Sequence, residues 1–361
     1  MRIKKLTSII MFFCLMITLL AGCSGGSDND SVESNTEVDK DKVHEFNVSF
    51  AAPEAATVPL TDVFRRMEQT SEGRLKFNIF YSWSLSSVDS VIKDLQSGVT
   101  DIAVVPPHEH LNLFPRTSLI TGTPFLGLPG ILEAGEIYNE MLEEYPSLKA
   151  EYEDLELTYW TTIFMPQNNL FQTGSYGELI VKPSDLRGHK IIGSNTMMQK
   201  LIASNSGAPV TAHVTEYYSN LEKGVADSVV QHLSALNAFG CGELIKKATV
   251  FGDSGMMINS MALIFSTNKW NSLPEDLQQI FTSEAENLRI ENAKVDEFKI
   301  KAAMDKLSET AEVYTLTDAE LKEWKDAFEP ILKEYIDQLE ADGADDAWEL
   351  YEGVIEKVAN Y

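Results

Sequence analysis

The chain has 361 residues, room for two ordinary domains, and 44% of them are apolar, enough to bury a sizeable core. Lys and Arg number 29 against 55 Asp and Glu, a formal charge of −26. That balance repels phosphate backbones and excludes nucleic acid as a partner, and no polybasic patch is available for anionic lipid.

The N-terminus carries the most specific short signal. Arg2, Lys4 and Lys5 precede an apolar run from Leu6 to Leu20. A run of about 15 residues suits the apolar region of a signal peptide better than a membrane span. Leu20-Ala21-Gly22-Cys23 follows and matches the lipobox pattern: small residues before the cut, then a thiol that takes the lipid. Residues 1–22 therefore read as a leader. Removing its three cations and no acid would leave −29. No later stretch reaches about 18 consecutive apolar residues, so the expected membrane attachment is the lipid on Cys23. Of the other cysteines, Cys14 leaves with the leader. Cys241 is then alone, with no CxxC partner for zinc and no thiol for an intramolecular disulfide, and is expected to be a buried small apolar side chain. Residues 23–43 read as a lipidated Cys and a polar, acidic tether that cannot bury enough to order itself.

From residue 44 the pattern is α/β. Phe46, Val48 and Phe50 alternate as in a half-buried strand. Pro59 opens a helix with Leu60, Val63, Phe64 and Met67 on one stripe, and Gly73 stops it. Leu75, Phe77, Ile79 and Tyr81 alternate again. Val88, Val91, Ile92 and Leu95 form a second helical stripe ending at Gly98, and 101–105 is a short buried strand closed by Pro106-Pro107. This is βαβαβ, which implies a parallel sheet. The pattern returns near residue 188. Lys190 to Gly193 is extended, Met197 to Ser206 helical and Pro209-Val210 extended. Thr215 caps a helix with Tyr218 and Leu221 inward, and 226–231 is a strand. Two such units predict two lobes with a cleft between them.

Ligands of open parallel sheets bind beyond the carboxyl ends of the strands. In lobe one that selects the loops 51–57, 81–87 and 105–111; in lobe two it selects 193–196, 212–216 and 231–236. They carry Trp83, His108, Glu109, His110, Asn195, His213, Glu216, Gln231 and His232, a mixture suited to a small polar solute. Tyr217, Phe164 and Trp270 are further candidate walls. His108-Glu109-His110 lacks an identifiable third ligand, so no metal and no cofactor are expected. No GxSxG, HExxH or GxGxxG occurs, and an enzyme is not expected.

The last third is helical. Ser272-Leu-Pro-Glu275 reads as a capping box opening a helix from about 274 to 308, roughly 50 Å long and wide enough to cross both lobes. Thr317-Asp-Ala-Glu320 reads as a second box opening a helix towards Ala341, and 345–360 as a third helix. The expected division assigns 44–166 and about 256–295 to lobe one, and 167–255 with about 296–361 to lobe two.

These segments resemble the solute-binding subunits of tripartite ATP-independent periplasmic (TRAP) transporters. The resemblance rests on GRLKFNIFYSWSLS followed by LQSGVTDIAVV, on TPFLGLPG, DLRGHKI, GAPVTAHVTEYYSNLEKGVADSVV and FSTNKWNSLPEDLQQIF, over roughly residues 45–300. Glu216, Tyr218, Leu221, Gly224 and Asp227 stand at family positions. The resemblance implies an α/β fold of two periplasmic-binding-protein-like lobes, with crossing strands at the hinge and a long helix spanning both. It also implies a monomer that hands a small organic solute to membrane permease subunits. Ligand-binding residues on this reading are Trp83, His108, Asn195, Glu216, Tyr217 and Gln231. The chain departs from the family at Ile192, which stands where a carboxylate-pairing Arg is usual, and at Ser228, which replaces Gly; Gln231 takes a ligand-facing Asn position. An Ile cannot form a bidentate bond to a carboxylate. Either another cation takes over, for which Lys190 is no automatic substitute, and the ligand is an organic acid held by unusual contacts, or it is a neutral, zwitterionic or partly apolar compound, the reading preferred here. The alternatives are a binding protein of an ATP-driven uptake system or a lipid-anchored surface protein without a transport role.

Overall fold

The computed structural model describes residues 42–54, 57–174, 177–193 and 195–361. Cys23, the leader and nearly all of the tether lie outside the described residues.

Strand β1 (His44–Ser49), helix α1 (Val58–Thr70), β2 (Leu75–Phe80), α2 (Val91–Ser97) and β3 (Ile102–Val105) make the first unit. β1 lies between β2 and β3 and runs parallel to both. Its alternation works as expected: Phe46, Val48 and Phe50 are buried, and Phe46 meets Phe77 and Phe281 with ring centroids 5.4 and 5.6 Å apart. Helices α3 (Pro115–Gly122), α4 (Ile131–Glu144) and α5 (Pro146–Glu153) lead to β4 (Leu157–Thr173). Then β5 (Lys190–Ile192), α6 (Thr196–Ser204), β6 (Ala208–Val210), α7 (Tyr217–Glu222) and β7 (Ser228–Gln231) make the second unit. β5 again stands in the middle, parallel to β6 and β7. The repeat in the sequence is thus a repeat of topology. After α8 (Leu233–Ala238) come β8 (Ile245–Val250), β9 (Met257–Ser266), α9 (Thr267–Asn271), α10 (Glu275–Ser308), β10 (Glu312–Thr315), α11 (Asp318–Ala341) and α12 (Ala347–Ala359).

The lobes are joined by a strand that sequence periodicity does not single out. Over its first part β4 pairs antiparallel with β9, which in turn pairs with β3 of lobe one. Over Asn169–Thr173 it pairs with β7 and β8 of lobe two. The register with β9 shifts between Phe164 and Gln167, where Pro166 has no N–H to donate. A bulge there bends and twists the strand, carrying it from one sheet to the other. The chain returns from β8 to β9 beside it. Gly255 makes that close crossing possible: φ is +62°, and a Cβ would lie 2.5 Å from Gln167 Cβ and 2.8 Å from the Asn168 carbonyl oxygen.

Helix α10 spans both lobes. Its 34 residues rise about 51 Å without Gly or Pro. In lobe one Phe281 is fully buried, Trp160 Nε1 donates to its carbonyl at 2.8 Å, and Arg66 of α1 pairs with Glu284 and Glu291. At the hinge Asn292 Nδ2 donates to the Phe164 carbonyl at 3.3 Å. In lobe two Leu307 joins a core with Leu221, Val229 and Cys241.

Two helix starts differ from expectation. α10 begins with Pro274 as its cap residue and no side-chain cap. Ser272 instead ends α9, a turn that periodicity missed, and its hydroxyl donates to the Lys269 carbonyl at 2.7 Å. Thr215 lies in a 3-10 turn over Val214–Glu216, so α7 starts at Tyr217 and buries Tyr217 and Leu221; Tyr218 stays partly exposed. The box at Thr317 and Glu320 forms reciprocally. Helix α11 is tied to the segment after β4, with Trp324 Nε1 donating to the Val181 carbonyl at 2.8 Å. Helix α12 rests on α4, where Lys357 pairs with Glu140 and Glu144.

Candidate functional site: a cavity between two lobes

The carboxyl ends of the strands converge on a cavity of about 630 Å³ between the lobes. Lobe one supplies Ala51–Pro53 after β1, Trp83 and Ser87–Asp89 after β2, and Pro106, His108 and Glu109 after β3. Lobe two supplies His213–Thr215 after β6, with Gln231 and His232 after β7. The hinge strands add Met165, Asn259 and Met261, and α10 adds Asp296, Lys299 and Ala303. Described residues of five of the six expected loops therefore meet; Gly193, Asn195 and Thr196, the described residues of the sixth, do not line the cavity. A broader groove of about 980 Å³ crosses Leu157–Trp160, and its lining among the described residues comes from lobe one.

Trp83 is held at the cavity by a local distortion. Both Ser82 and Trp83 adopt left-handed backbone, φ +53° each. The pair is pinned to β1 and its loop: the Ser82 N–H donates to the Ala52 carbonyl at 3.1 Å and the Trp83 N–H to the Phe50 carbonyl at 2.9 Å. Each such non-glycine residue costs about 1–2 kcal/mol, and strain of this kind gathers at binding sites. His108 and Glu109 sit on a 3-10 turn after Pro106, fixed by Ser118 Oγ, which donates to the Pro107 carbonyl at 2.9 Å. Gln231 is locked as well. Its Oε1 accepts from the His232 N–H at 3.0 Å.

The remaining expected residues stand away from the cavity wall. Tyr217 is buried in the lobe two core with Phe171 and Leu221 and does not line the cavity. Glu216 accepts from the His213 N–H at 3.0 Å and so shapes the turn that presents His213. Asn195 caps α6 through Met198 N–H and reaches across to lobe one, its Nδ2 donating to the Gly122 carbonyl at 2.7 Å. Ile192 is fully buried in the lobe two core with Phe171, Leu221 and Val229. Lys190 is exposed, and its ammonium donates to the Gly224 carbonyl. Phe164 is core, and Trp270 packs on Phe265 and Phe281. Cys241 is buried, and burial pushes its thiol up to about 11, which leaves it a poor nucleophile. Among the described residues, no three His, Cys, Asp or Glu side chains converge to hold a metal ion.

The wall is rich in acids, and two of its histidines, His108 and His232, are neutral. Burial, with His110 nearby, lowers His108 to about 4; burial, with His108 nearby, lowers His232 to about 3. Glu109 is raised by burial and by Asp89, against His213, whose Nδ1 lies 3.9 Å away. Asp296 is raised from 3.8 to about 6 by burial, opposed by Lys299 and by the Asn292 hydrogen bond. The native state thus holds this proton more tightly than the unfolded chain. Its stabilising contribution is complete below pH 3.8 and is lost as pH rises through about 6. Asp296→Asn is therefore expected to unfold at higher urea than wild type at pH 8 and to lose that advantage by pH 4. Equal gaps at both pH values would refute it.

The model of the DctP family, bacterial extracellular solute-binding protein family 7, matches residues 57–338. The chain belongs to this family. A solute-binding protein of Albidiferax ferrireducens is 24% identical to this DctP-family chain over 269 residues, covering 72% of this chain and 75% of the relative. Among solved structures, a TRAP solute-binding protein from Rhodoferax ferrireducens with copurified benzoate superposes with a TM-score of 0.78 at 16% identity, covering 88% of this chain and 98% of its own. A marine metagenome TRAP protein specific for aromatic acids, with 3-hydroxybenzoate bound, also reaches 0.78, at 19% identity, covering 89% and 99%. At these identities the structural likeness establishes the two-lobed fold. DctP-family membership makes the protein an extracellular solute binder, as its sequence resemblance implied. No helix among the described residues is long and apolar enough to cross a membrane.

Proposed function

We propose that the protein captures a small organic solute between its lobes outside the cytoplasm and delivers it to the membrane permease subunits of a TRAP-type transporter. On this reading it works as a monomer, held to the membrane by lipid on Cys23. The observation that carries the reading is the cavity itself: loops from both lobes and one face of α10 wall it together, so solute and closure stabilise each other. The hinge strands β4 and β9 at its floor are the elements about which the lobes would close. Trp83 and Gln231 are the residues on which capture rests most, one as a flat apolar wall and one as a fixed hydrogen-bonding amide.

The test is a thermal-shift screen of organic acids, amino acids, sugars and aromatic compounds, followed by small-angle scattering with any compound that binds. A captured solute should raise the melting temperature and reduce the radius of gyration. Trp83→Ala should weaken that solute by about 1.5–3 kcal/mol, the value of one large apolar side chain, or roughly tenfold to a hundredfold in Kd. A screen with no shift, or a Trp83→Ala variant that binds as tightly as wild type, would count against it.

A further inference from the structure

The charges on the cavity wall restrict what it can hold. Three carboxylates face it, Asp89 and Glu109 from lobe one and Asp296 from α10. Among the described residues Lys299 is the one Lys or Arg on that wall. His108 and His232 do not redress the balance, because both are neutral at pH 7; the third wall histidine, His213, stands beside Glu109, its Nδ1 3.9 Å from Oε2. A solute carrying negative charge alone would meet a surplus of like charge and no guanidinium, since the usual Arg position holds Ile192 in the core.

A second, independent observation points the same way. Asn259 is 3% exposed, sits on the hinge-strand floor of the cavity beside Met261, and its Oδ1 has no hydrogen-bond partner among the described residues. A buried acceptor without a donor is costly, and an N–H on a bound solute would satisfy it. The opposite wall offers donors. His232 Nδ1 accepts from the Ala235 N–H at 3.2 Å, which places the ring proton on Nε2. The carboxylates and the free Asn259 acceptor thus come from lobe one, the hinge and α10, which also holds Lys299, and lobe two faces them with the neutral His232 Nε2–H.

We propose that the solute carries a protonated amine, held by Glu109, Asp296 and the Asn259 carbonyl oxygen. This rests on the solute-capture reading above and narrows it to amine-bearing compounds. Zwitterionic amino acids and simple amines share that chemistry. Lys299 separates them, since it would pair with the carboxylate of a zwitterion and repel a plain amine.

The experiment uses protein expressed from the full-length sequence and calorimetry with sets matched in skeleton: 3-phenylpropanoate, phenylalanine and phenethylamine; butanoate, 4-aminobutanoate and butylamine. In at least one set an amine-bearing member should bind at least tenfold more tightly than its amine-free acid. Glu109→Gln or Asp296→Asn should remove at least tenfold of that affinity. Lys299→Met should weaken a zwitterion and strengthen a plain amine. Affinity should also fall from pH 7.5 to 5, as Glu109, facing His213 and Asp89, and Asp296, facing Lys299 and Asn292, take up protons. Tighter binding of the amine-free acids in both sets would overturn the amine assignment and leave solute capture standing. Amine binding unchanged in both carboxylate variants would also overturn it. Silence of both sets, and of the wider screen, would overturn both readings.

Discussion

Ile192→Arg is expected to destabilise lobe two by on the order of 3–5 kcal/mol, the penalty of an uncompensated buried charge, instead of creating a carboxylate clamp. Ile192 is fully buried on the middle strand of its sheet, flanked by Val210 and Val229 on the neighbouring strands. Tyr217, Leu221 and Phe171 share its cluster. An Arg there must either leave its guanidinium among apolar side chains or displace a neighbour such as Tyr217 from the core. Urea unfolding followed by circular dichroism should show the lower midpoint. Calorimetry with benzoate and other simple carboxylates should show no new binding. A variant as stable as wild type that binds a simple carboxylate would mean that the side chain reaches the cavity.

Asp227→Ala should be comparably severe, about 3–5 kcal/mol, because three donors lose their acceptor at about 1–3 kcal/mol for each one left unsatisfied and buried. The side chain is almost fully buried and holds three donors at once. Oδ1 accepts from His189 Nδ1 at 2.8 Å and from Ser228 Oγ at 2.7 Å, and Oδ2 accepts from the Lys190 N–H at 2.8 Å. Its backbone joins the same knot, since its N–H donates to the Lys190 carbonyl at 2.8 Å and its carbonyl accepts from the Thr173 N–H at 2.8 Å. One residue therefore ties the starts of β5 and β7 to the end of β4. Asp227→Asn keeps one oxygen and should lose less. The check is a ranked urea series, wild type above Asn above Ala. An Ala variant within about 1 kcal/mol of wild type, the ordinary effect of a point mutation, would show that the three donors find other acceptors.

These cases mark what could be read in the chain. The βαβαβ units were legible because β1 and β2 alternate, β3 is a short apolar run closed by Pro106-Pro107, and helix stripes end near Gly, as at Gly98 (φ +75°). The span of α10 was legible because Pro274 to Pro330 contains no breaker. β4 was not, because it is buried on both faces for most of its length and shows no period of two. In the cavity, the rule about strand ends found Trp83, His108, Glu109, His213, Gln231 and His232. It could not find Asn259 or Met261, which line the cavity from mid-strand. Nor could it find Asp296 and Lys299, whose helix resembles any solvated amphipathic helix until its midpoint is known to lie at the hinge. Spacing offered one signal there: residues 296, 299 and 303 share a helix face. Asn195 and Glu216 were chosen by position in a loop. Position alone could not separate a residue that faces the cavity from one that caps the turn beside it.

The shared strands and the returning C-terminus have a consequence for how the chain completes itself. β3 finds its antiparallel neighbour β9 some 160 residues later, and α12 settles on α4 with Lys357 bonded to Glu140 across 217 residues of sequence. No contiguous stretch holds all the parts of either lobe. A fragment ending before β9 would have the first βαβαβ unit, yet it would lack the strand that covers its edge, the helix under its sheet and the helix that closes its outer face. Loop closure over such spans grows only logarithmically with length, so the finished fold loses little stability by this wiring. The early chain, however, has few native contacts within reach, and its long-range pairs are the kind that form slowly.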